Sequence, residues 1–338
     1  MKIKKYIVGL SIVSLLIGLI GGCGKNNEEV VQTKGEPTET TDEKITIRVG
    51  DQPVNSSVMF GYGKRTGELE KYLKDYNVEV EVVPFESGPA MNEAFAAGQL
   101  DFATMGNMPG ITGVANEYGY KILGISSYSD YSGVLVANTD SEINSIADLK
   151  GKKVGTFIGG TWHYITAKYL ESAGFSLDDV ELMNTAAETA TSIKSQAIDA
   201  GVMGVATAKQ LENEGSGKII SEQCGIPTFN VICGSEEFIS KYPELTQAIL
   251  KGLNDTEKYS DEHLEEFFDY LGEITGADTT TIEQTWNLSK REVRNFNDSD
   301  IALLNDLLQW MQEKDLIENK DITADDLLEL EYIKNAGL

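Results

Sequence analysis

From Ile45 onward the chain alternates short apolar runs of strand period with stretches of helical period, and this alternation constrains the fold more than any other feature. Ile45-Thr46-Ile47-Arg48-Val49 reads as a strand. Leu69, Tyr72, Leu73 and Tyr76 fall on one face of a helix, and Val78 to Val83 alternates as a second strand. A short helix carrying Met91, Ala94 and Phe95 leads to a strand over Asp101 to Met105. A helix near Ile111 and a strand near Ile122 to Ile125 follow. Repeated βαβ units imply an α/β fold whose parallel sheet is covered by helices on both faces.

The alternation restarts after Ser132 to Ala137. Asp148-Leu149-Lys150-Gly151-Lys152-Lys153-Val154 turns into a strand ending near Phe157, and a helix runs from about Thr161 to Ala173 and stops at Gly174. Strands near Val180 and Ala200 flank a helix over Glu188 to Ala197. A second α/β lobe is therefore expected inside the first, with lobe 1 over 45–136 and 229–338 and lobe 2 over 137–228. Two amphipathic helices close the chain, one carrying Leu264, Phe267, Phe268 and Leu271, the other Leu303, Leu304, Leu307, Leu308 and Met311.

The first 22 residues read as a leader. Lys2, Lys4 and Lys5 precede an apolar stretch from Tyr6 to Ile20 that is short for a membrane span, and Gly21-Gly22-Cys23 places small residues beside a thiol. This is the pattern of a lipoprotein signal peptide, with Cys23 as the lipidated first residue of the mature chain. The expected location is the extracytoplasmic face of the cell membrane, with acyl groups such as palmitate as the anchor. Residues 23–44 are polar and acidic, with too little apolar content to fold, and read as a tether reaching on the order of 25 Å.

Charge narrows the partners. The 338 residues carry 28 Lys and Arg against 54 Asp and Glu, a formal net charge of -26. Loss of three leader lysines takes this to 25 minus 54, or -29. No nucleic-acid partner is expected of such a chain. Besides Cys23 there are Cys224 and Cys233, which read equally as a disulfide or as two small buried thiols. No metal-ligand or Ser-His-Asp spacing is present in the sequence, and no metal or cofactor is expected.

Several short motifs occur in order. They are Phe85-Glu86-Ser87-Gly88-Pro89, Glu93-Ala94, Gly98-Gln99-Leu100-Asp101-Phe102, Gly106-Asn107-Met108-Pro109, Asp148 to Val154, Gly159-Gly160-Thr161-Trp162-His163-Tyr164 and Ala173-Gly174. In this order and spacing they resemble the substrate-binding proteins of ABC importers, specifically the aliphatic sulfonate, taurine and nitrate group, which also includes binders of thiamine pyrimidines. The resemblance covers roughly residues 45 to 255. It implies a two-lobed, hinged, periplasmic-binding-protein-like fold of type II with the ligand between the lobes. Open α/β sheets independently direct a ligand to the carboxyl ends of strands, beside helix N-termini.

Candidate site residues lie at four strand ends. Gln52 follows the first strand and is similar to the Gln of sulfonate binders there. Gly106 and Asn107 precede a helix expected to start near Pro109, with Asn107 either capping it or bordering an anion seat. Gly160 and Thr161 open the second-lobe helix, Trp162 is placed to stack on a ligand or close the cleft, and His163 matches a His of the family motif. At the fourth end the family commonly shows Asp-Ala-Trp, then Trp-Asp-Pro, where this chain has Gly201, Gly204, Val205 and Ala206. The missing rings either widen the cleft or leave space that Trp162 fills. Asn230, on the returning strand, is a further polar candidate.

The function implied is capture of a small organic anion, sulfonate-like, and its delivery to an ABC permease in the membrane, by a monomer with no enzymatic activity. Alternatives are a heteroaromatic ligand such as a thiamine-pyrimidine precursor, an extracellular sensor, and an enzyme of the same fold. An enzyme requires a cleft nucleophile, whereas Cys224 and Cys233 lie near the inter-lobe return and His263 in an acidic helix.

Overall fold

The computed structural model describes residues 44–53, 57–129, 133–185, 188–221, 226–286 and 290–338; Cys23 with its leader and tether, and Cys224, lie outside the described residues. In chain order the elements are β1 (Ile45–Asp51), α1 (Met59–Thr66), α2 (Glu70–Leu73), β2 (Val78–Pro84), α3 (Gly88–Ala96), β3 (Phe102–Gly106), α4 (Asn107–Ala115), β4 (Tyr120–Ser129), β5 (Val134–Asn138), β6 (Lys153–Thr156), α5 (Thr161–Ser172), β7 (Glu181–Asn184), α6 (Thr189–Lys194), β8 (Ala200–Met203), α7 (Val205–Asn213), β9 (Gly217–Ile219), β10 (Thr228–Ser235), α8 (Glu236–Lys241), α9 (Pro243–Glu262), α10 (Leu264–Thr275), α11 (Thr279–Trp286), β11 (Lys290–Arg294), α12 (Asp298–Glu313), α13 (Ala324–Leu327) and α14 (Glu331–Ala336).

Two sheets organise them, one with strand order β11-β4-β10-β3-β1-β2 and a smaller one with order β7-β6-β8-β5-β9. The βαβ units behave as their pattern implies, with β1 parallel to both β2 and β3, and β6 parallel to β7 and β8. Neither sheet is wholly parallel. β10 runs antiparallel to β3 and β4, and β5 antiparallel to β8 and β9. Each of these strands enters its sheet directly from the other lobe, so no helical crossover turns the chain back on itself. The whole of Val134–Ala137 is paired with β8, so the first passage between sheets falls between Ser129 and Val134.

Local signals explain several elements. Ser87 accepts the Ala90 N–H at 3.3 Å and Pro89 occupies the first turn, which starts α3. Asp101, in the Gly98-Gln99-Leu100-Asp101-Phe102 motif, accepts the Arg48 backbone N–H at 2.7 Å and its Nε at 3.1 Å, fastening β3 to β1. That motif is structural. Gly174, at φ 79°, ends the α5 turn as its position suggests.

The larger sheet is buried on both faces. Met105, Met108, Ile122, Ile125, Phe229, Val231 and Cys233 pack with α12 on one side; Ile47, Val49, Phe102, Leu123 and Ile232 pack with α1, α9 and α10 on the other. Helix α5 joins the lobes. Ile165, Tyr169 and Leu170 enter the second-lobe core, while Tyr164 and Ala167 are buried among residues of the larger lobe. Tyr164 donates its hydroxyl to Asp306 of α12 at 2.7 Å.

Candidate ligand-binding cleft

Of the strand ends named by the sequence, those at Gly106 and Gly160 meet, with Thr161 against Gly106 and Asn107 and with Asn230 paired to Gly106. On the larger lobe, β1 ends in Asp51, and the Gln52 backbone exchanges two hydrogen bonds with Ser57, at 2.7 and 3.2 Å. Gln52 is 4% exposed, and its amide donates to the Glu86 carbonyl at 3.3 Å. The Ser57 and Thr104 hydroxyls lie 2.5 Å apart. Asp51 accepts N–H groups of Gly61 at 2.6 Å and Phe60 at 3.3 Å. Burial nevertheless pushes its carboxyl up to about 7, with the two donors pulling the other way. Sequence reasoning passed over Asp51, although an acid between a strand and a helix start was the available signal.

The turn from β3 into α4 differs from the expected one. The helix begins at Asn107 with Gly106 as its cap, so Pro109 sits inside the first turn and Asn107 is not the cap. The Asn107 side chain instead turns toward the second lobe. Its Oδ1 accepts the Met108 N–H at 2.8 Å and the Thr161 hydroxyl at 3.1 Å. Gly106 permits this approach, because a Cβ there would lie 2.5 Å from Thr161 Oγ1.

On the second lobe, Gly159 adopts φ 85° and buried Gly160 caps α5, so that Thr161 and Trp162 begin the helix at the cleft. Trp162 lies between Gly133 and Gly204. A Cβ on Gly133 would meet its Cδ1 at 3.3 Å, and one on Gly204 would meet its Cζ2 at 3.7 Å. The indole therefore occupies the space beside Gly204. Gly201 does not widen the cleft: a Cβ there would lie 2.5 Å from Thr189 Cγ2 and 3.0 Å from the Gly155 carbonyl. Its missing side chain makes room for α6.

His163 faces the larger lobe. It is 5% exposed, meets the Trp310 ring edge-on at 5.5 Å, and its Nδ1 has no hydrogen-bond partner among the described residues. Burial alone holds its pKa below the usual imidazole value. Asn230 pairs with Gly106 on one side and Ser127 on the other, at the cleft end of β10. Cys233 is a free, fully buried thiol whose pKa is raised by that burial. His263 lies on the surface between α9 and α10, stacked on Tyr259 at 3.9 Å.

Comparison with known proteins shows the same fold. A Bacillus subtilis (strain 168) protein named "Putative aliphatic sulfonates-binding protein" is 26% identical over 97% of this chain and 96% of its own length. The alkanesulfonate-binding protein SsuA of Xanthomonas axonopodis pv. citri, solved with bound MOPS, superposes with a TM-score of 0.75 at 17% identity, covering 86% of this chain and 100% of that one. DSZB, solved as a mutant in complex with biphenyl-2-sulfinic acid, shares the fold with a TM-score of 0.67 at 18% identity, over 86% of this chain and 98% of that one. The family model described as "NMT1/THI5 like" matches residues 66–266, a span that runs from α1 through both lobes into α10, and the chain belongs to that family.

Proposed function

We propose that this protein is an extracytoplasmic solute-binding lipoprotein of an ABC importer, which captures a small sulfonate-like organic anion between its lobes and delivers it to a membrane permease. The observation that carries this reading is the Thr161–Asn107 hydrogen bond, which brings the start of α5 in one lobe against the start of α4 in the other. Two helix N-termini are thereby brought close together, an arrangement suited to an anion. The Bacillus subtilis relative, similar over nearly the whole chain, supports the sulfonate class. Binding without turnover is favoured over catalysis. Cys233 is inaccessible in β10 and His163 is packed on Trp310, so neither supplies a nucleophile or base to the cleft.

The membrane attachment rests on Gly21-Gly22-Cys23, with lipid on Cys23 and the acidic residues that follow as spacer. The lobes divide near the two passages between sheets, and the protein acts as a monomer. The test is a thermal-unfolding screen of residues 24–338 against alkyl and aryl sulfonates, nitrate and pyrimidines, with mass spectrometry of the recovered ligand. A rise in melting temperature with unaltered sulfonate is expected. A response to pyrimidines alone, or recovery of a chemically altered ligand, would overturn the reading.

A further inference from the structure

The chain has four arginines, and three are paired with acids: Arg48 with Asp101, Arg65 with Glu273 and Arg294 with Asp300. The Arg291 side chain makes no ion pair and no hydrogen bond among the described residues. Its guanidinium lies over the Trp286 ring, 3.8 Å from the centroid, and 5.9 Å from that of Phe267. Stacking on an indole fixes the plane of a guanidinium while leaving its N–H edges free for a bidentate acceptor.

The register of the larger sheet carries Arg291 toward the cleft. Arg291 is opposite Ser127, Ser127 is opposite Asn230, and Asn230 is opposite Gly106. Directly opposed residues share a face, and two strand spacings separate Arg291 from Asn230 by roughly 10 Å between backbones. The face is the one covered by α1, α9 and α10. Phe229 and Val231 point into the opposite core, so Asn230 turns to this side, and Phe267 belongs to it as well. Arg291 is half-buried along this row. At the row's far end Thr161 of the second lobe stands over Gly106.

The acids that face Arg291 come from α9, and among the described residues neither makes an ion-pair contact with it. Glu257 and Asp261 both act on it through space; Glu257 accepts the Val293 N–H at 2.6 Å, and burial raises its carboxyl well above the usual range. Desolvation lowers Arg291 only to about 10, which leaves it charged at neutral pH. With no acid among the described residues in ion-pair contact, the half-buried guanidinium keeps its N–H edges open to an arriving anion.

We infer that Arg291, held flat on Trp286, takes the anionic head of the ligand, with Asn230 and Ser127 along the same row as its polar neighbours. This rests on the binding function proposed above and names the residue that makes it specific for monoanions such as sulfonates. The guanidinium supplies charge and two parallel donors; the helix starts at Asn107 and Thr161 close over the remainder of the ligand.

The test compares the unmodified protein with R291Q and R291K by calorimetric titration and thermal unfolding, using methanesulfonate, hexanesulfonate, taurine, nitrate and benzoate as probes. Sulfonate affinity is expected to fall at least tenfold in R291Q, about the loss of one charged hydrogen bond, and by a smaller factor in R291K. Raising NaCl should weaken binding to the unmodified protein more steeply than to R291Q, a response a purely structural arginine would not produce. Equal sulfonate binding by the unmodified protein and R291Q overturns the role of Arg291 and leaves the proposed function standing. Binding of nitrate or benzoate but not sulfonates, lost in R291Q, keeps Arg291 and overturns the sulfonate reading. No response to any probe overturns both. Should R291Q not fold, unchanged affinity in R291K overturns the assignment, because a lysine cannot reproduce the stacked bidentate geometry.

Discussion

Thr161 donates its hydroxyl to Asn107 Oδ1 at 3.1 Å, and that hydroxyl oxygen occupies the place a side chain on Gly106 would take. Three residues from two lobes thus define how near the lobes come. A ligand shifts a hinged pair of lobes only through contacts that differ between open and closed states, so this junction is where closure is won or lost.

A methyl group on Gly106 tests that directly. Its Cβ would stand 2.5 Å from Thr161 Oγ1, so α5 must back away and the hydrogen bond to Asn107 is lost. Ligand affinity in Gly106→Ala is expected to fall about tenfold, or about 1.4 kcal/mol. Small-angle scattering with saturating ligand should then show a more extended molecule than the unmodified protein. Unchanged affinity and dimensions would remove the junction from the closing motion.

Gly201 and Gly204 should respond oppositely to the same change. At Gly204 a Cβ makes an ordinary 3.7 Å contact with Trp162, and Gly204→Ala should leave the melting temperature nearly unchanged. At Gly201 the added carbon meets Thr189 Cγ2 at 2.5 Å and a carbonyl at 3.0 Å. Overpacking of this kind costs about 1–3 kcal/mol, so Gly201→Ala should unfold measurably earlier in denaturant. If both variants unfold at the same midpoint, Gly201 is not packed as described.

This pair also marks what the sequence could and could not convey. The strand and helix pattern, the stop at Gly174, the strand end at Gly106 and the helix start at Thr161 were legible because each is a local signal of period or turn chemistry. Which way a glycine faces is not local: β8 sends Gly201 toward α6 and leaves Gly204 beneath Trp162, and that depends on pairing with β5 and β6. The cap of α4 was misplaced because Pro109 satisfies a first-turn position at more than one register. Arg291 gave no motif at all, since its place beside Ser127 and Asn230 arises from strands far apart in the chain.

The lipid anchor is tested independently of the fold. Cys23→Ala removes the only thiol next to the small residues of the leader, and full-length protein should move from the membrane fraction to the soluble extracytoplasmic fraction. Continued retention in membranes would mean that the apolar stretch from Tyr6 to Ile20 stays attached as an uncut anchor.

His163 couples lobe packing to pH. Its ring lies against Trp310, its Nδ1 has no partner among the described residues, and burial lowers its pKa. Charged groups on the packed helices are Asp306, which accepts the Tyr164 hydroxyl at 2.7 Å, and Lys168, which is ion-paired to Glu171 at 3.3 Å; among the described residues no charge acts on His163 beside the burial. The folded protein therefore holds His163 neutral at a pH where the unfolded chain, near the ordinary value of 6.5, already binds a proton. Its contribution to stability is fully present above 6.5 and is lost as pH falls below that toward the depressed folded value. In His163→Phe that share of the decline disappears. Between pH 7.5 and 5 the melting temperature of the unmodified protein should accordingly fall relative to that of His163→Phe, with Trp310 fluorescence following the unmodified protein's transition. Parallel curves would place His163 in a solvated setting and separate lobe packing from its protonation.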